Sequence, residues 1–187
     1  MARIPYANPE KYDELMRNIR LPPETTGPTN AFGMLAHTPA IGGSVLRLVF
    51  TILADADLDF FLHELVILRV TQCCQAQYAW VQHVAIAKAI GVSEAQIAAL
   101  EHGHALASLF TRRERIVLAF TDEVLNAARA TDHTFALLRD ELSAREIVEL
   151  LLTIGYFRMI GGLFSTLDVE PDPAHAIELP ELTCEVA

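Results

Sequence analysis

All nine prolines of this 187-residue chain stand at positions 5, 9, 22, 23, 28, 39, 171, 173 and 180, and the whole stretch from Ala40 to Glu170 holds none. Proline interrupts helix interiors and central strands alike, so this stretch is free to build long regular elements. Its abundant Ala, Leu, Glu and Arg favour helices, and no segment of useful length alternates with the period of a strand. The expectation is an all-α fold, an antiparallel multi-helix bundle.

Helix starts are marked by side chains that satisfy the free N–H groups of a first turn. Ser93 with Gln96, Thr111 with Glu114 and Ser143 with Glu146 form capping boxes. Asn8 and Thr38 each precede a proline at a first helical position, and Asp57 offers a further start. The resulting map has helices near 9–20, 29–37, 39–54, 57–72, 77–90, 93–102, 111–128, 132–141 and 143–168. Residues 1–38 read as an N-terminal helical extension, 39–168 as the helical domain, and 169–187 as an acidic, proline-containing tail. The segment from Pro22 to Pro28 is placed to lie over a pocket, and Ile177, Leu179 and Leu182 offer an apolar strap.

Charge excludes some partners. Fourteen basic against twenty-four acidic residues give a net charge of −10, which speaks against nucleic acid and against an anionic membrane surface. Five of the acids, Glu170, Asp172, Glu178, Glu181 and Glu185, lie in the tail, which has no Lys or Arg. No uninterrupted apolar run approaches the roughly 18–20 residues of a spanning helix, and the first residues lack the apolar run of a secretion signal. Cys73, Cys74 and Cys184 are too few and too oddly spaced for a disulfide framework. A cytoplasmic protein is expected.

Chemistry concentrates between residues 57 and 94. Glu64 lies three or four residues from Phe60, Phe61, Ile67 and Leu68, which sets a carboxylate on an apolar helical face, where it is costly unless paired or neutralised. The next helix carries Tyr78, the single Trp80 and His83, with the tryptophan one turn before the histidine. A hairpin turning near residues 73–76 brings Glu64 and His83 to similar heights on adjacent helices. A carboxylate against an imidazole in an apolar pocket is a general acid–base arrangement, and it stands only if the two side chains approach within about 8 Å. Each residue also has a purely packing interpretation: Glu64 paired with an arginine such as Arg69, and His83 as a satisfied core histidine.

These residues carry a resemblance. Glu64, the nineteen-residue step to His83, the segment from Tyr78 through Trp80 to His83, and Gly91-Val-Ser-Glu after it resemble the carboxymuconolactone decarboxylase family, which includes alkylhydroperoxidase-like proteins. The stretch from Glu146 to Met159 resembles that family's long closing helix. The resemblance covers roughly residues 40–168 and implies an alkylhydroperoxidase-like all-α fold assembled as a homo-oligomer, a trimer or hexamer, with a dimer also open. It implies a cofactor-independent enzyme with His83 and Glu64 as the acid–base pair and a small unsaturated carboxylic acid or lactone as substrate. Tyr78 and Trp80 would line the pocket, and Arg69 or Arg158 would hold the substrate carboxylate. Peroxidatic members carry Cys-x-x-Cys with a histidine four residues after the second cysteine; here those positions are Ala76 and Ala79. The alternatives are thiol chemistry through atypical cysteines and a non-enzymatic ligand-binding oligomer.

The remaining polar residues give weaker signals. Cys73 and Cys74 point about 100° apart on a helix and read as packing in a turn. Glu101 and His104 match one half of a carboxylate-bridged metal motif whose second half is missing, so no metal is expected. His63, one turn after Asp59, reads as the partner of a surface i, i+4 pair.

Overall fold

Side-chain caps open most of the helices. The computed structural model describes residues 1–17, 19, 29–105 and 107–172, and its regular elements there are all helices. In chain order they are α1 (Pro9–Arg17), α2 (Asn30–Leu35), α3 (Pro39–Asp55), α4 (Phe60–Cys73), α5 (Gln77–Ala89), α6 (Glu94–Glu101), α7 (Arg112–Ala127), α8 (Asp132–Arg139) and α9 (Ala144–Thr166). The capping boxes at Ser93 and Thr111 are both formed. At Ser143 the Glu146 carboxylate accepts from the backbone N–H at 2.7 Å while Ser143 Oγ accepts from Glu146 N–H. α4 starts three residues later than expected because Asp59 caps it, accepting from Leu62 N–H at 3.1 Å. The backbone N–H groups of Asp57 and Leu58 go instead to Glu149 Oε2 on α9. The segment Pro22–Pro28, Cys184 and the apolar tail residues Ile177, Leu179 and Leu182 lie outside the described residues.

The chain forms two compact units. One holds the described residues of 1–48 together with 167–172. Within it the terminal ammonium pairs with Glu170 at 3.0 Å, Arg3 with Asp168 at 2.9 Å, and Asp172 accepts from Asn30 N–H at the start of α2. Residues 167–172 are therefore tied to the N-terminal segment by these charged side chains.

The other unit, Val49–Thr166, carries the candidate chemistry. α4 is its central element, packed by α5, α6, α7 and α9. Residues 62–68 of α4 are buried without interruption, which is why the apolar pattern runs all round this helix. Leu65 and Leu68 join Ala87, Leu100, Phe110 and Leu118 in a buried core cluster. α9 is long and apolar enough to cross a bilayer by length and composition, but half of that window is buried within the protein, as expected of a core helix.

α4 and α5 form the anticipated hairpin. Cys74 ends α4, Gln75 takes the left-handed conformation at φ 52°, and Ala76 N–H donates to Thr71 O at 2.8 Å. The turn is centred near residue 75, so Glu64 and His83 are offset by about 4.5 Å along the helix axes. A glutamate side chain spans that offset.

Candidate acid–base site

Glu64 is completely buried on α4 and His83 is 8% exposed on α5. The imidazole Nδ1 lies 2.9 Å from Glu64 Oε2. A carboxylate accepts only, so with Glu64 ionised it is Nδ1 that carries the proton shared with Oε2. Glu64 Oε1 is buried with no hydrogen-bond partner among the described residues.

α9 closes the site from the other side. The Phe157 ring stands perpendicular to His83 with centroids 4.9 Å apart, and Phe164 meets Tyr78 edge-on at 5.0 Å. Tyr156 packs edge-on against Phe157 at 5.2 Å, and burial pushes its phenol far up, so it stays neutral. These rings shield most of the imidazole, leaving His83 8% exposed to solvent, and strengthen its interaction with the carboxylate.

Behind the pair lies a second buried histidine. His63 is 1% exposed and its Nε2 is 2.6 Å from Thr153 Oγ1. Thr153 spends its only hydroxyl proton on Glu149 O at 2.8 Å, so it must accept from His63, which fixes the proton on Nε2. Desolvation lowers the His63 pKa, against the opposing influence of the Glu64 charge. The expected surface pair with Asp59 is thus corrected: Asp59 caps the helix, and His63 faces α9 because α4 is surrounded on all sides.

The other nominated residues lie in different surroundings. Tyr78 is buried on the same α5–α9 seam as His83, whereas Trp80 packs against the core cluster around Leu65 and Leu68. Arg69 forms a two-pronged pair with Asp122, at 2.5 and 3.0 Å, and also bonds Gln72. Burial opposes its charge, but the Asp122 contact outweighs that and raises its pKa. Arg158 is exposed and donates to Leu125 O at 2.8 Å. Both guanidiniums are thus committed to α7 and do not bond Glu64 or His83.

The thiol-motif positions Ala76 and Ala79 are buried methyl groups beside the seam. Cys73 is exposed and Cys74 partly so. Burial raises both thiol pKa values, only partly offset by Arg69 for Cys73 and Arg158 for Cys74. Glu101, His102 and His104 are exposed at the end of α6. Among the described residues, no three His, Cys, Asp or Glu side chains converge as a metal site. Sequence reasoning missed Phe157, His63 and Thr153; the clue to all three was the continuous apolar character of α4 and α9, which forces them to face each other.

An all-helical fold with a Glu–His pair across an α4–α5 hairpin defines a class, and the family model of that class matches. The chain belongs to the carboxymuconolactone decarboxylase family, whose model covers residues 39–132. Similar solved structures share its fold. An AhpD-type protein of unknown function from Agrobacterium tumefaciens is 22% identical, with a TM-score of 0.68 over 73% of this chain and 94% of that one. A peroxidase-related protein with an alkylhydroperoxidase AhpD core from Ralstonia eutropha is 19% identical, with a TM-score of 0.69 over 76% of each chain. The debrominase Bmp8, solved with 2,3,4-tribromopyrrole, is 16% identical, with a TM-score of 0.65 over 88% of this chain and 84% of that one. No curated protein matches the sequence.

Proposed function

We propose that this protein is a cofactor-independent acid–base enzyme that decarboxylates, or moves a proton on, a small unsaturated carboxylic acid or lactone. The supporting observation is the buried 2.9 Å contact between Glu64 and His83 in a seam where the thiol positions are alanines. In decarboxylation, the bond between the carboxylate and its carbon breaks, carbon dioxide leaves, and the electron pair passes into the conjugated carbonyl as an enolate. His83 Nε2 then returns a proton to carbon and is reprotonated from solvent. Glu64 holds the tautomer through Nδ1 and stabilises the imidazolium. The protein is read as a cytoplasmic homo-oligomer, in keeping with its family resemblance.

The test is a panel of unsaturated acids and lactones incubated in deuterated water with wild type and His83→Ala. Wild type is expected to catalyse carbon–deuterium exchange or carbon dioxide release, and the variant to lose at least about 100-fold. Equal exchange by both proteins overturns the role of His83. Activity lost only in Cys73→Ser/Cys74→Ser overturns the acid–base reading in favour of thiol chemistry.

A further inference from the structure

Three helices are joined pairwise by side chains around the acid–base pair. α4 meets α5 through Glu64 and His83 at 2.9 Å, α5 meets α9 through the His83 and Phe157 rings, and α4 meets α9 through His63 Nε2 and Thr153 Oγ1 at 2.6 Å. Thr153 and Phe157 stand four residues apart on α9, hence on one face, and His63 and Glu64 are neighbours on α4. The contacts therefore close a ring that runs Glu64, His83, Phe157, Thr153, His63.

The His63–Thr153 contact does what apolar packing does not. Burial of apolar surface is non-directional, so leucines and isoleucines alone hold two helices together without fixing where one stops along the other. Sliding α4 by one residue along α9 moves it about 1.5 Å, which a short hydrogen bond does not survive. His63 is 1% and Thr153 0% exposed, so both polar groups are desolvated at a cost that apolar side chains of similar size would avoid. Buried polar pairs add little net stability; their best-attested use is to fix register.

The acceptor is itself locked. Thr153 Oγ1 donates to Glu149 O at 2.8 Å, which leaves it a lone pair for His63. One turn earlier, Glu149 Oε2 takes the N–H groups of Asp57 and Leu58; this holds the connector before α4, whereas Thr153 holds the helix itself. The titratable groups that act on His63 are Glu64 on its own helix, His83 on α5 and Glu149 on α9. Burial keeps the His63 imidazole neutral against the attraction of the two carboxylates. A neutral donor at this position leaves the Glu64 charge to His83, where an arginine or lysine would compete for it.

We infer that His63 is a positioning residue of the acid–base site: bonded to Thr153, it pins α4 against α9 in the register that keeps Glu64 Oε2 on His83 Nδ1. Its catalytic meaning rests on the acid–base reading proposed above; its geometry does not.

The test is a double-mutant cycle of the full chain with His63→Leu, Thr153→Val and the two combined, and with Thr153→Ser as the conservative change. Each protein is followed by urea denaturation, by proton exchange on the panel of unsaturated acids and lactones, and by nuclear magnetic resonance of its ¹⁵N-labelled histidine rings. An imidazole N–H held by a buried acceptor gives a separate downfield proton resonance, assigned through the bonds of its own ring. Both single variants are expected to displace the His83 Nδ1–H resonance and to slow exchange by about 10- to 100-fold. The double variant removes donor and acceptor together and is expected to regain stability without regaining the His83 resonance or the exchange rate. Thr153→Ser is expected to keep both. A merely structural pair predicts that all three readouts recover together, so a double variant with the wild-type His83 resonance overturns the proposal, as does a Thr153→Ser protein displaced as far as Thr153→Val. If the variants fail to fold, the wild-type spectrum decides: His63 is expected to show a slowly exchanging Nε2–H and a bare Nδ1 at pH 7, and the opposite tautomer or an imidazolium there overturns the proposal. The acid–base reading fails separately, by a His83→Ala protein that exchanges as fast as wild type, and the ring resonances then still decide whether His63 sets the register.

Discussion

Replacing Glu64 by glutamine keeps the shape of the buried side chain and removes the charge that orders the His83 ring. Either face of the amide can then meet Nδ1, so the imidazole loses its fixed tautomer. Turnover in Glu64→Gln is expected to fall by about 10²–10⁴ with little change in KM. Behind the pair, Thr153→Val leaves the buried His63 N–H without an acceptor, at a cost of about 1–3 kcal/mol readable by urea denaturation. His63 also predicts a pH dependence. Desolvation lowers its folded pKa, so below the ordinary histidine value of about 6.5 the unfolded chain binds a proton that the native chain refuses. Stability therefore falls as pH drops from about 7 toward 5, with this one group contributing a slope of at most about 1.4 kcal/mol per pH unit. Glu64, His83 and Glu149 are the charges that act on His63. His63→Gln, which removes only the titration, is expected to flatten the slope. The Glu–His pair was legible because residues nineteen apart on either side of a tight hairpin must meet. His63 was not, because its spacing from Asp59 looks the same whether the helix is exposed or surrounded.

Helix boundaries follow the same logic. Caps at Asn8, Ser93, Thr111 and Ser143 are local chemistry and could be read directly, because a hydroxyl or amide three residues ahead of a free N–H needs no tertiary partner. The start of α4 could not, since both Asp57 and Asp59 are competent caps. The choice depends on Glu149, ninety residues away, which captures the N–H groups of Asp57 and Leu58. Close approach of elements is equally non-local. Gly161 and Gly162 are neighbours with the same propensity, yet the structure assigns them opposite responses. Gly161→Ala pushes a methyl to 3.1 Å from Ala76 and 3.4 Å from Cys74 and is expected to cost about 1–3 kcal/mol by prying α9 from the hairpin. Gly162→Ala meets nothing within 4 Å and is expected to stabilise the fold by up to about 1 kcal/mol. Thermal melts check the pair, and equal shifts for both would contradict the α9–hairpin contact.

For the whole molecule, the question is which of the family's chemistries this chain retains. Its net charge of −10 says little about that, because part of the acidity lies beyond the described residues and Asp168, Glu170 and Asp172 are bound to the N-terminal segment. The decisive differences are single atoms: methyl groups at Ala76 and Ala79, and thiols displaced to the hairpin at Cys73 and Cys74. Proximity to a guanidinium does not make these thiols reactive, since burial outweighs Arg69 at Cys73 and Arg158 at Cys74 and raises both. A thiolate, not a thiol, is the nucleophile. Cys73, although exposed, is therefore expected to react with a chromogenic disulfide at pH 7 more slowly than free cysteine, its rate still climbing above pH 9. Cys73→Ser/Cys74→Ser is expected to keep the proton-exchange activity that His83→Ala abolishes. Fast labelling of Cys73 at pH 7, joined to loss of activity in the serine variant, would place the nucleophile at the hairpin and reduce Glu64 and His83 to its proton relay.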